Sequence, residues 1–177
     1  MHGSTFLTIL LALPLLGLSS PLSIRWNHHD YDSAYHTLGC PSTTKPRASH
    51  REQLSVLNDF ANLVYVQHNV AQGYNTYVAK DFINHAPEIS GNGTAIAIAT
   101  QTPMLIGGHV NLQRVFVGSD ENDVDYGTVH FQGFSVRFGE GDIAGIFKFV
   151  GTCVVEYWDV AQGVDRNSTK NPIAYFK

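Results

Sequence analysis

The chain has 177 residues, of which 44% are apolar and only 15% charged, and its formal net charge is −4. That balance suits one globular domain with a hydrophobic core of its own and argues against a disordered chain. It also lacks a Lys/Arg stripe, so nothing in it favours a nucleic-acid partner.

In chain order, residues 6–18 (FLTILLALPLLGL) form an almost unbroken apolar run. The run is too short to span a bilayer comfortably, and Gly17, Ser19 and Ser20 supply small residues for processing. Residues 1–20 therefore read as a secretory signal peptide, with an uncleaved anchor as the other reading. About 155 residues remain after processing. The expected location is extracellular or secretory, with no stable membrane insertion. Two glycosylation acceptors, Asn92-Gly93-Thr94 and Asn167-Ser168-Thr169, agree with that route. So do the two cysteines, Cys40 and Cys153, which invite a disulfide in an oxidising compartment. The alternative is an exposed free Cys40 and a buried free Cys153.

Residues 21–48 are rich in His, Tyr, Ser and Pro without periodicity and read as an irregular arm on a domain spanning residues 49–165. The domain opens on a capping box, Ser49-His50-Arg51-Glu52. Leu54, Leu57, Ala61, Val64 and His68 follow at helical spacing, so the first helix is expected to stop near Gly73. Residues 74–80 suggest a second short helix and residues 82–85 a brief strand ended by Pro87. Thr94 is positioned to cap a third helix ending near Pro103. The period then changes to two, and strands are expected over 110–117, 123–131, 133–138, 143–149 and 152–160. Residues 166–177 are left as a tail. Helices followed by antiparallel strands define an α+β architecture, whose curved sheet would enclose a pocket.

Two stretches carry a family likeness. Residues 77–87 (YVAKDFINHAP), followed by Gly91, resemble the "dyIqHnP…G" stretch of SnoaL-like proteins, a branch of the NTF2-like superfamily. Residues 145–149 (GIFKF) and 155–162 (VEYWDVAQ) resemble their "vDifR…GkIvEHWDvxQ" stretch. The likeness covers about residues 50–162. It implies an NTF2-like cone-shaped barrel: about three N-terminal helices in the concavity of a bent antiparallel sheet. It further implies cofactor-free acid/base chemistry on apolar substrates, as in polyketide cyclases and in relatives such as ketosteroid isomerases, scytalone dehydratase and limonene epoxide hydrolase. Homodimerisation through the outer face of the sheet is implied as well. Fold alone does not assign activity, since the same fold hosts binding proteins. Two positions depart from the pattern. Gly145 stands where the family carries its acid, and Tyr157 stands where it has the His of "EHW".

The candidates for chemistry follow from residue type. His85 is the first choice for general acid/base work, with a purely structural role at the strand exit as the alternative. His130 shares a strand face with Tyr126 and would form a polar patch for a carbonyl ligand if that face points inward. Tyr157 would donate to an oxyanion. Asp159, two residues on, is a substitute carboxylate, unless it only bonds backbone or Lys148. Asn84, Trp158 and His68 are candidates for lining the site. Asp125, opposite His130 in parity, reads as a solvated side chain, with acid/base work as the alternative if the parity is reversed. His28, His29, Asp30 and His36 lie in an irregular arm, which argues against a metal site there. The leading expectation is a secreted cyclase, isomerase or dehydratase acting without a cofactor on an apolar carbonyl compound of secondary metabolism. The alternative is a non-catalytic binding protein of the same fold.

Overall fold

The computed structural model describes residues 28–165, with side chains from Asp32 onward. The expected signal segment (residues 1–20), the expected tail (166–177) and the expected acceptor Asn167 lie outside the described residues. Four helices precede or interrupt the strands: α1 (His28–Thr37), α2 (His50–Ala61), α3 (Val70–Tyr77) and α4 (Thr94–Leu105). Five strands, β1 (Val78–Asn84), β2 (His109–Ser119), β3 (Asp125–Ser135), β4 (Gly139–Val150) and β5 (Cys153–Gly163), form one curved sheet in the order β1-β5-β4-β3-β2. The architecture is the expected α+β cone, but the sheet is open. It is also mixed, because β1 runs parallel to β5 while β2 to β5 form an antiparallel meander.

Several local readings need correction. The arm is not wholly irregular, since residues 28–37 form α1. Cys40 is bonded to Cys153 with a Cα–Cα separation of 5.9 Å, which pins the segment after α1 to the start of β5. Tyr35, Ala79, Cys153 and Val155 build a small second core there. The capping box of α2 is complete: Ser49 accepts from the Glu52 N–H while the Glu52 carboxylate accepts from the Ser49 N–H. The apolar stripe of α2 then runs into a π turn (Asn62–Val66) and stops before His68, which is exposed and has φ +55°. Asn69 starts a new helix by accepting from the Gln72 N–H. Gly73 therefore ends nothing. It lies inside α3, where a Cβ would come within 2.5 Å of Val64 Cγ2, so the glycine lets α3 approach the π turn closely. Residues 78–80 belong to β1, not to a helix. Thr94 does not cap α4. Its hydroxyl donates to the Ala79 carbonyl at 2.5 Å instead, stitching α4 to β1. The two strands expected over 123–138 are one, because Gln132 and Gly133 stay in register with β2 and β4.

The main core lies between the helices and the concave face of the sheet. Leu57, Phe60, Val64, Val129, Phe147 and Val154 are fully buried there. Phe60 sits edge-on to Tyr65, Tyr74 and Phe147, an arrangement that adds to what area burial alone contributes. Gly127 marks the closest approach of α2 to the sheet: a Cβ there would stand 2.4 Å from Leu57 Cδ2 and 2.9 Å from Phe149 Cε2. Gly127→Val should cost about 1–3 kcal/mol through overpacking. Equilibrium urea unfolding would show this as a lower midpoint at unchanged slope, and an unchanged midpoint would mean that α2 moves away freely.

Candidate active site

A cavity of about 270 Å³ opens between α4, the loop before it and the concave face of β2 to β5. Strand parity decides who enters it. On β5, Tyr157, Asp159 and Ala161 point in; on β3, Phe131, Gly133 and Ser135 do. From the helical side come Tyr65, Gln101, Met104 and Leu105, and Glu88 comes from the loop after β1. The walls are largely apolar, with the polar groups gathered around Tyr157.

Gly145 and Asp159 are cross-strand partners in the β4–β5 ladder. A Cβ at Gly145 would lie 3.0 Å from Tyr157 Cε2 and 3.3 Å from its hydroxyl oxygen. The tyrosine ring therefore lies over the space that an acidic side chain at 145 would use. The large ring at 157 is accommodated by the absence of a side chain at 145. A carboxylate is nonetheless present, one strand across. The Tyr157 hydroxyl donates to Asp159 Oδ2 at 3.3 Å.

The electrostatics of this pair suit proton chemistry. Burial raises the Asp159 carboxyl above its ordinary value, and the negative charge of Glu88 raises it further, outweighing the Tyr157 hydrogen bond. Burial also holds the Tyr157 phenol well above its usual range, reinforced by Tyr65 and by the Asp159 charge. Tyr157 thus stays protonated and serves only as a donor near neutral pH. Tyr65, fully enclosed, is likewise raised by burial, with Gln101 and Tyr157 bonding its oxygen in partial compensation. Gln101 Oε1 is buried without a hydrogen-bond partner, an acceptor at the cavity wall that a ligand donor would satisfy.

The remaining sequence candidates do not meet at this cavity. His85 is on the outer face: its N–H donates to the Tyr157 carbonyl at 2.8 Å, while its ring stacks on Trp158 at 4.6 Å and reaches Glu156 Oε2 at 3.3 Å. Trp158 is on that face too, with Tyr126 beyond it at 6.3 Å between ring centroids. His130 also faces out, accepting from Arg114 at Nδ1 (3.1 Å) and facing Asp142 Oδ1 through Nε2 (2.9 Å). The histidine and Tyr126 thus form no polar patch inside the cone. His68 is exposed beyond the π turn. Asn84 ends β1, where its Oδ1 accepts from the Ala86 N–H, and it is not a lining residue. Asp125 is not simply solvated. It accepts from Gln53 Nε2 at 2.7 Å and from Ser119 at 2.8 Å, buttressing the far end of α2. Lys148 pairs with Glu156 rather than with Asp159. Burial pushes Glu156 up, but the Lys148 and His85 hydrogen bonds outweigh it and hold the carboxyl low. Asn92 is exposed in the turn before α4. No cluster of three or more His, Cys, Asp or Glu side chains suited to a metal occurs among the described residues. None of their helices is long and apolar enough to cross a membrane.

Tyr65, Glu88 and Gln101 are the site residues that the sequence did not single out. Tyr65 lies one position off the apolar stripe of α2 and is aimed by the π turn, which no hydropathy period reports.

No family model and no curated protein matches the sequence. Solved structures do match the fold. An NTF2-like protein of unknown function from Mesorhizobium loti superposes with a TM-score of 0.53 at 15% identity, over 67% of this chain and 98% of that one. A protein assigned as a SnoaL-like polyketide cyclase from Jannaschia sp. CCS1 gives 0.45 at 12% identity, over 66% and 90%. An epoxide hydrolase of the LEH-like type from M. tuberculosis gives 0.47 at 14% identity, over 64% and 84%. The Mesorhizobium superposition carries the assignment: this chain has the NTF2-like fold.

Proposed function

We propose that the protein is a secreted, cofactor-free isomerase, cyclase or dehydratase acting on an apolar carbonyl compound, with Asp159 as its acid/base group. One observation carries this reading. A partly buried carboxylate with a raised pKa stands in an apolar cavity beside a protonated tyrosine, across the ladder from the position where SnoaL-like proteins hold their acid. Ionised Asp159 would take a proton from the carbon next to the substrate carbonyl. The electron pair would move onto the carbonyl oxygen, held by the Tyr157 hydroxyl. Asp159 would return the proton to another carbon in an isomerisation, or to a departing hydroxyl that leaves as water in a dehydration. The apolar walls would keep bulk water from the enolate. The Cys40–Cys153 disulfide supports a secretory route. Exposed Phe116 and Val160 on the outer sheet face support a homodimer through that face.

A non-catalytic binding protein is the second reading, favoured by the Tyr157–Asp159 hydrogen bond, which occupies both groups with each other. The experiment that separates the two incubates the purified protein with a metabolite extract of its source organism, beside a heat-killed control. Time-dependent conversion at constant mass, or with loss of water, supports the enzyme. A compound retained on the native protein and released unchanged supports the binder and ends the catalytic reading.

A further inference from the structure

The charged groups of the cavity are all of one sign. Glu88, Glu140 and Asp159 line it, and no Lys, Arg or His does so among the described residues. Two of the three acids already hold partners. Asp159 accepts from the Tyr157 hydroxyl, and Glu140 Oε1 accepts from Gln132 Nε2 at 2.9 Å. Glu88, exposed in the loop after β1, has no hydrogen-bond or ion-pair partner among the described residues. Its charge nevertheless reaches into the cavity, since it repels the Asp159 carboxylate. The base nearest in sequence to this lining does not neutralise it: Arg137 lies over the Phe138 ring at 5.0 Å and is not a lining residue.

The neutral groups add to the imbalance. Gln101 Oε1 is a buried acceptor in the same wall with no partner among the described residues. The cavity thus offers a surplus of acceptors and of negative charge within apolar walls. An anion entering it would lose hydration and meet repulsion, whereas a cation would recover in attraction what it gives up in hydration. An ammonium group supplies the missing charge together with three N–H donors. Size limits the rest of the compound. An apolar cavity of about 150 Å³ takes one benzene ring, so one of about 270 Å³ admits a body of roughly two rings.

We propose that the cavity takes an apolar compound of about two rings bearing a protonated amine, with Glu88 as the counter-charge of the ammonium, and that it rejects carboxylates. The proposal rests on the cavity being the ligand site, which the catalytic and the binding readings share. In the catalytic reading the substrate is then an amino-carbonyl compound. Asp159, held by Tyr157, remains in place for the proton at carbon.

The test is calorimetric titration at neutral pH with three probes on one bicyclic skeleton: 2-aminotetralin (cation), 2-tetralol (neutral) and tetralin-2-carboxylate (anion). The amine should bind about 10-fold tighter than the alcohol. The carboxylate should bind at least about 100-fold more weakly than the amine. Glu88→Gln should weaken the amine about 3–10-fold and leave the alcohol as it was. Glu88→Lys should narrow the gap between amine and carboxylate further. Glu88 is exposed in a loop, so neither change removes core packing. Equal binding of amine and alcohol, or tighter binding of the carboxylate, would overturn the proposal and leave the cavity a ligand site. A preference for the amine that both variants retain would remove Glu88 as the counter-charge. Failure of all three probes to bind the wild-type protein would end the proposal and the ligand-site reading together.

Discussion

Asp159→Asn should lower turnover about 10²–10⁴-fold, the usual contribution of a positioned acid/base group, while leaving ligand affinity within a few-fold of wild type. Asparagine keeps the size of the side chain and can still accept from Tyr157, so a packing explanation would not cover such a loss. The pH profile gives a second readout. A general base works only when ionised, and burial together with Glu88 lifts this carboxyl above the ordinary 3.8. Activity should therefore fall on the acid side at a pH above that value. Glu88→Gln should move that limb downward by removing the repelling charge. Stability should respond in the opposite sense. A carboxyl whose pKa is raised on folding contributes stability below its unfolded pKa, and that contribution is lost as pH rises through the folded value. At neutral pH the ionised Asp159 therefore opposes folding, and Asp159→Asn should raise the melting temperature there but not in acid. Full turnover in the variant would remove Asp159 from the mechanism and leave the binding reading standing.

Removing the disulfide should be the most damaging change to the fold. The bridge joins Cys40 to Cys153 across a sequence separation of 113. For a loop of that length the chain-entropy relation gives about 4–5 kcal/mol, within a typical total stability of 5–15 kcal/mol. Cys40→Ala/Cys153→Ala should melt on the order of 10–15 °C lower for a domain of this size. Calorimetry of the double variant checks the figure. A shift of a degree or two would mean that the small core around Tyr35, Ala79 and Val155 holds α1 without covalent help.

The sequence was most legible where one period governs. The Ser49–Glu52 box and the alternation from Val110 onward located α2 and the meander because each rests on local chemistry. A glycine is a poor stop signal where packing, not turning, requires it. Gly73 lies within a helix to admit Val64. The site was half legible. Tyr157 and Asp159 sit two apart on one strand face, and the family likeness pointed at that strand. His85 and His130 were attractive by residue type, but parity relative to the concave face is a tertiary property. The parallel pairing of β1 with β5 sends the His85 ring to the side of Trp158, away from the cavity. Gln101 and Glu88 left no signal, since a lone glutamine on a helix and a lone glutamate in a loop look the same whether or not a pocket lies beside them.

The parallel strand β1 has a consequence for biosynthesis. It lies at the edge beside β5, so among the described residues its sheet partner is the last of the five strands in chain order. The meander from β2 to β5 can zip hairpin by hairpin as it emerges, whereas β1 must wait for the whole of it. Cys40 waits in the same way for Cys153. With two cysteines the chain has a single possible internal pairing, so oxidation cannot scramble within one molecule. An early oxidant can leave Cys40 only in a mixed disulfide with another molecule, a second unfinished chain among them. Wrong bridges are therefore bridges between molecules, and their number should fall on dilution of the refolding chain, whereas scrambling within one molecule would not respond to concentration.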